Sequence, residues 1–69
     1  MSTEAKIIAR FVAEYTEGVL FRDAAFATCT AFRDEALALG WGEGAAVSVF
    51  STTLDVLVTL ALRAEAVAT

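Results

Sequence analysis

The chain has 69 residues, a formal net charge of −4, one cysteine and no histidine, and 58% of its residues are hydrophobic. A chain this short forms one domain and buries only about 60% of the surface that its unfolded form exposes, so a disulfide, a structural metal or oligomerisation usually supports it. The lone Cys29 excludes an intrachain disulfide and the usual tetrahedral zinc site, and the five basic residues, dispersed among nine acidic ones, argue against nucleic-acid binding. Oligomerisation therefore remains as the support.

The first third of the chain predicts an amphipathic helix over residues 3–17. Its apolar positions recur every three or four residues, at Ile8, Phe11, Val12 and Tyr15. Charged side chains occupy another face, where Arg10 and Glu14 are four residues apart and can pair. Ser2 or Thr3 can cap the start of the helix.

A second helix is predicted over residues 23–39. Its apolar stripe contains Phe21, Ala25, Cys29, Phe32, Ala36 and Leu39. Cys29 is interpreted as a small core residue, because no histidine is present to activate a thiol nucleophile. Gly18 favours a break between the first two helices near residues 18–22, although a continuous helix through this glycine is the alternative.

The glycine-rich segment Gly40-Trp41-Gly42-Glu43-Gly44 predicts a firm turn before a third helix. It lacks the spacing and the lysine of a phosphate-binding loop. A helix-turn-helix reader of DNA is also disfavoured, because its recognition helix would begin with residues 45–48, which include no base-reading side chain. Trp41 is either a binding anchor or a plug at the end of the bundle, and both interpretations stay open.

The third helix is predicted over residues 43–67, and it is apolar around most of its circumference. One stripe contains Val47, Phe50, Leu54, Leu57, Val58 and Ala61, and a neighbouring stripe contains Val49, Val56, Leu60 and Val67. Such a helix is normally buried on more than one side, so a second chain is expected to cover part of it. Strands over residues 47–53 and 56–60 are the alternative, because both runs are rich in β-branched residues; no turn pair separates them, which favours helix.

A membrane span over residues 45–62 is a further alternative for the third helical segment. The segment is close to the lower limit for crossing a bilayer. Asp55 near its centre would cost about 2.5 to 3.5 kcal/mol on insertion. These features disfavour a membrane location.

The carboxylates offer two candidate sites for chemistry. Glu14 and Glu17 are three apart and could bind a metal or act as an acid–base pair, but without histidine a solvated face is the favoured interpretation. Asp55 is either buried or part of a polar seam with Ser48, Thr52 and Thr59, and the seam is favoured. If Asp55 is paired, its candidate partners are Arg22, Arg33 and Arg63.

The sequence thus predicts an all-α fold, a small three-helix bundle completed by oligomerisation, with two long helices broken near Gly18 as the variant. Residues 1–69 form one domain, and we expect no catalytic residue, cofactor or metal. The start of the chain lacks the basic and apolar regions of a secretory signal, so a cytoplasmic location is expected.

The predicted function is a non-enzymatic module that forms a homodimer or higher oligomer and binds or regulates another protein. Its interface is predicted to contain Phe26, Trp41, Val49, Phe50, Leu54, Val56, Leu57 and Leu60. The alternative is a carrier of small apolar ligands or a minimal enzyme, with Asp55 or Tyr15 as the polar group. A buried cavity of a few hundred Å³ between the helices would favour that alternative.

Overall fold

The computed structural model describes residues 2–68, apart from the side chain of Ala68. Along these residues the chain forms three helices: α1 (Thr3–Glu14), α2 (Phe21–Ala38) and α3 (Glu43–Ala68). None of residues 2–68 lies in a β-strand, so the all-α prediction is confirmed and the alternative of strands within the third segment is wrong. The absence of a turn signal in that segment outweighs its β-branched composition.

The start of α1 forms as predicted, but its end does not. The backbone N–H of Ala5 donates to Ser2 Oγ at 3.1 Å, and Arg10 pairs with Glu14 at 3.0 Å. The helix stops at Glu14, three residues early, because the chain turns before α2. In this turn the Val19 N–H donates to the Thr16 carbonyl at 3.0 Å, and Gly18 has φ +86°, which glycine adopts without steric cost.

A tight glycine turn joins α2 to α3. Gly40 has φ +88°, its N–H donates to the Leu37 carbonyl at 3.0 Å, and the Trp41 N–H donates to the Ala36 carbonyl at 3.1 Å. These two bonds form a Schellman motif, which satisfies the last carbonyls of α2. The short connection makes α2 and α3 an antiparallel hairpin.

The core is small and rich in short side chains. It consists of Ile7, Phe11, Ala24, Ala25, Cys29 and Leu57. At one end the Phe11 ring contacts Tyr15 and Phe21, with centroids 5.1 and 5.0 Å apart. Helix α2 contacts both other helices, and α3 most extensively. Alanines on α2 permit close approach, but they leave few large side chains inside the fold.

Candidate interaction surface

A row of exposed apolar side chains runs along α3. Val47, Leu54, Val58 and Leu62 are 61%, 40%, 43% and 60% exposed. Their spacing of seven, four and four residues places them on one side of the helix. The core side of the same helix carries Leu57, which is fully buried. Three members of the first predicted stripe, Val47, Leu54 and Val58, are therefore uncovered within the chain, whereas Leu57 of the same stripe is buried.

Helix α2 extends this uncovered row into a broader surface. Phe26 is 63% exposed, and its ring lies edge-on to Phe50 with centroids 6.0 Å apart. The Arg33 guanidinium lies 5.9 Å from the centroid of the same Phe50 ring. We call this surface the α2–α3 face. It consists of Phe26, Leu37, Val47, Phe50, Leu54 and Val58.

The eight predicted interface residues divide between different parts of the structure. Phe26, Phe50 and Leu54 lie together in the α2–α3 face, and they are the part of the set that the structure brings together on one surface. The sequence pattern also pointed to Val47 and Val58 as members of the same stripe. Leu37 was not among the predicted residues, although it is 42% exposed and lies eleven residues, or three helical turns, after Phe26 on the same side of α2.

The second stripe of α3 faces α1. Val56 packs against the core, Val49 lines a groove beside Ile7, and Leu60 lines a pocket beside Glu4. These side chains are half-buried within the chain. Leu57 is fully buried in the core, so in this conformation it has no surface with which to contact a partner.

Trp41 lies apart from the α2–α3 face, beside a groove of about 390 Å³. The groove is open to solvent, and its lining residues are uncharged: Thr3, Ile7, Phe32, Trp41, Ala45, Ser48, Val49, Thr52 and Thr53. Trp41 is about half exposed. An open groove with one phenylalanine differs from the enclosed cavity that a ligand carrier would be expected to have.

The candidate chemical groups lie in ordinary surroundings. Asp55 is exposed and lines a separate pocket with Glu4, Thr59 and Arg63, which agrees with the polar seam. Glu14 pairs with Arg10, whereas Glu17 lies beyond the end of α1, so the two carboxylates do not share a helix face.

The Cys29 thiol and the acidic side chains are the remaining candidate groups for chemistry. Burial raises the pKa of the Cys29 thiol and keeps it from reagents, which disfavours a nucleophilic role. Within residues 2–68, no three acidic or thiol side chains cluster in a way that could hold a metal ion.

One helix in the described part of the chain, Glu43–Val67, is long and apolar enough to cross a membrane by length and composition alone. Only 17% of an 18-residue apolar stretch of this helix is buried in the fold. The core helix of a soluble protein, by contrast, is mostly buried. The exposed apolar surface of α3 is therefore the feature that a function must explain. Comparisons with protein-family models, curated proteins and solved structures found no match for this chain.

Proposed function

We propose that the chain is a non-enzymatic, cytoplasmic helical module that self-associates through the α2–α3 face and, once assembled, binds or regulates another protein. The observation that carries the proposal is the exposure of this face. Phe26 and Val47 are 63% and 61% exposed, and Leu37, Leu54 and Val58 are 40% to 43% exposed. Apolar side chains that are exposed together in one patch, rather than singly, often mark binding sites.

Self-association would also stabilise a fold whose own core is small. The buried core contains two large aliphatic side chains, Ile7 and Leu57, and one phenylalanine, Phe11; its other members are small. Small domains with this little core commonly depend on oligomerisation. Covering the α2–α3 face would add Phe26, Val47 and their neighbours to a shared core.

Sedimentation velocity at micromolar concentration tests this proposal with two adjacent substitutions on α3. Val58→Lys places a charge in the α2–α3 face, where burial of an unpaired charge costs several kcal/mol, so we expect it to yield monomers. Thr59→Lys adds the same charge on the Asp55 side and is expected to sediment like the wild type. A folded, monomeric wild type, or equal behaviour of the two variants, would contradict the proposal.

A carrier of small apolar ligands is the second candidate, supported by the uncharged groove at Trp41. Tyr15 packs instead against Phe11, and Asp55 lines another pocket, so neither predicted polar group lies in the groove. Trp41 is the only tryptophan in the chain and lines the groove, so its fluorescence reports occupancy directly. Saturable shifts in emission on titration with an uncharged apolar compound would support the carrier, and a flat titration would exclude it.

A further inference from the structure

The groove beside Trp41 lies where the three helices meet, and its volume is about 390 Å³. Ile7 on α1, Phe32 on α2 and Val49 on α3 all contribute to its lining. Small-molecule sites are clefts or cavities of about 300 to 1,000 Å³, lined mainly by apolar side chains with a few polar groups. The groove has this size, and a ligand inside it would contact every helix of the fold.

The groove and the α2–α3 face lie on opposite sides of α3. Ala45 and Thr52 line the groove, whereas Val47 and Leu54, each two residues further along the chain, belong to the face. Two residues correspond to a rotation of about 200° around a helix. Self-association through the face therefore leaves the groove open, and each chain of an assembly would keep its own groove.

Two aromatic side chains in the groove have surface available for a ligand. Trp41 and Phe32 both line the groove, and both also line a second hollow of about 140 Å³. Neither ring takes part in an aromatic pair within residues 2–68, and Trp41 is about half exposed. Aromatic pairs are favourable beyond the area that they bury, because the face and the edge of a ring carry opposite partial charges. A ligand with an aromatic ring therefore fits this part of the groove best.

Hydroxyl groups supply the polar part of the groove. Ser48 and Thr52 are four residues apart on α3, so their side chains lie on the same side of the helix. In the described part of the chain neither hydroxyl has a hydrogen-bond partner, whereas the Thr53 hydroxyl donates to the Val49 carbonyl at 2.8 Å. A hydroxyl can donate and accept, so this pair suits a ligand with one hydroxyl or amide group.

The groove favours an uncharged ligand, because no charged side chain among residues 2–68 lines it. A charged ligand would lose water there without gaining an opposite charge, which is costly. The net charge of −4 also disfavours an anion. A cation would meet only Glu35, which is exposed and lines the smaller hollow rather than the groove.

We infer that the groove is a binding site for an uncharged small molecule that has an aromatic ring and one hydroxyl or amide group. The ring contacts Trp41 and Phe32, and the polar group bonds to Ser48 or Thr52. This inference rests on the second candidate function above and names the ligand class. It does not depend on self-association, because the α2–α3 face is on the other side of α3.

The indole signal of Trp41 tests the site by NMR, since this is the only tryptophan in the chain. We expect 3-phenylpropan-1-ol to shift the indole N–H signal saturably. For a ligand of about ten non-hydrogen atoms, the dissociation constant should be about 1 mM or lower. Smaller shifts on titration with an unrelated, ring-free alcohol such as ethanol show the effect of solvent alone.

Three matched compounds test the ligand class. 3-Phenylpropanoate and 3-phenylpropylammonium replace the alcohol with a charged group, and 3-cyclohexylpropan-1-ol replaces the aromatic ring with a saturated one. We expect each of the three to bind at least about threefold more weakly than 3-phenylpropan-1-ol, because each lacks one of the matched features. Tighter binding of any of them would overturn the inferred class.

Two double variants test the position of the polar group. Ser48→Ala with Thr52→Val removes both groove hydroxyls, and we expect the dissociation constant for the alcohol to rise about threefold or more. Ser51→Ala with Thr59→Val makes the same changes on α3 outside the groove and should bind like the wild type. All four positions are exposed, so both variants should fold, which circular dichroism checks. Equal affinities of the two variants would overturn the assignment of the hydroxyls.

A substitution that fills the groove tests the site itself. Ala45 is exposed and lines the groove, so Ala45→Phe should abolish the saturable shift without disturbing the core. Val58→Lys, on the α2–α3 face, should bind the alcohol like the wild type even if it is monomeric. Loss of binding in Val58→Lys would show that one chain does not form the site.

The failures of this inference and of the functions proposed above are distinguishable. If all four compounds bind equally, the ligand class is wrong and a general carrier of apolar ligands remains. If none binds, the inference and the carrier are both wrong, whereas self-association is unaffected. An indole signal that shifts on protein dilution but not on titration would assign the groove to a contact between copies and overturn the inference.

Discussion

Three threonines show at the scale of single residues how a hydroxyl is accommodated inside these helices. Thr28 and Thr53 are buried, and each Oγ1 donates to the carbonyl four residues earlier, at 2.8 Å. Thr30 differs, because its Oγ1 is shielded from solvent and has no hydrogen-bond partner within the described residues. A shielded hydroxyl without a partner is destabilising by about 1 to 3 kcal/mol.

The contrast predicts different effects for the same substitution at two sites on α2. Thr30→Val replaces the unpaired hydroxyl with a methyl group of similar shape, whereas Thr28→Val removes a hydroxyl that has a partner. We expect the Thr30 variant to be the more stable of the two by about 1 kcal/mol. Urea unfolding followed by circular dichroism measures the difference. Equal midpoints, or a more stable Thr28 variant, would contradict the interpretation of Thr30.

At the scale of elements, a glycine sets where α2 ends. Gly40 has φ +88° and forms the Schellman motif after α2, whereas Gly44 lies in the first turn of α3 and has nothing within 4 Å of the position that a Cβ would take. The two residues belong to one glycine-rich segment, but only Gly40 has the left-handed backbone conformation that favours glycine.

Alanine substitution at these two glycines should therefore have opposite effects. Gly40→Ala forces a side chain into the left-handed region, and we expect a loss of about 1 kcal/mol or more. Gly44→Ala introduces a better helix former into open space and should stabilise the protein by up to about 1 kcal/mol. Thermal unfolding of both variants measures the sign. A stabilising Gly40→Ala would show that the turn does not require glycine.

The helices could be predicted from the sequence, whereas the side of α3 that is covered could not. Apolar periodicity and glycine positions located all three helices and the break near Gly18. Periodicity states which residues share a face, but not which neighbouring helix lies against that face. Leu57, assigned by its spacing to the interface, lies in the core for this reason. Glu17 was predicted to lie in α1 because helical spacing alone does not reveal the turn over residues 16–19.

For the candidate site, the predicted interface residues remain a prediction, and the structure shows only how they are distributed over the fold. Phe26, Phe50 and Leu54 were predicted, and the structure places them in one face. Val49 and Leu60 were predicted with them, but they lie on the side that faces α1, because α1 crosses the second stripe. Their partial burial depends on a contact between distant segments, which local patterns do not encode.

At the scale of the whole molecule, α3 is long for the fold around it. Its 26 residues span about 39 Å, close to the 43 Å length of the molecule, whereas the 12 residues of α1 span about 18 Å. Residues 62–67 are all exposed. A short α1 therefore covers one part of α3 and leaves its remaining apolar length uncovered within the chain.

If a second chain covers the length of α3 that α1 leaves exposed, assembly and folding are coupled. This coupling predicts how thermal stability depends on protein concentration. If two chains share the α2–α3 face, unfolding also separates them, and the melting temperature must rise with protein concentration by mass action. For a domain of this size we expect a rise of roughly 3 to 5 °C for each tenfold increase in concentration. Scanning calorimetry from about 5 to 500 μM measures it, with Val58→Lys as the variant expected to melt at a lower, nearly constant temperature. A concentration-independent wild type would mean that the hairpin and α1 are stable without a partner, so the exposed row on α3 would not be needed for folding.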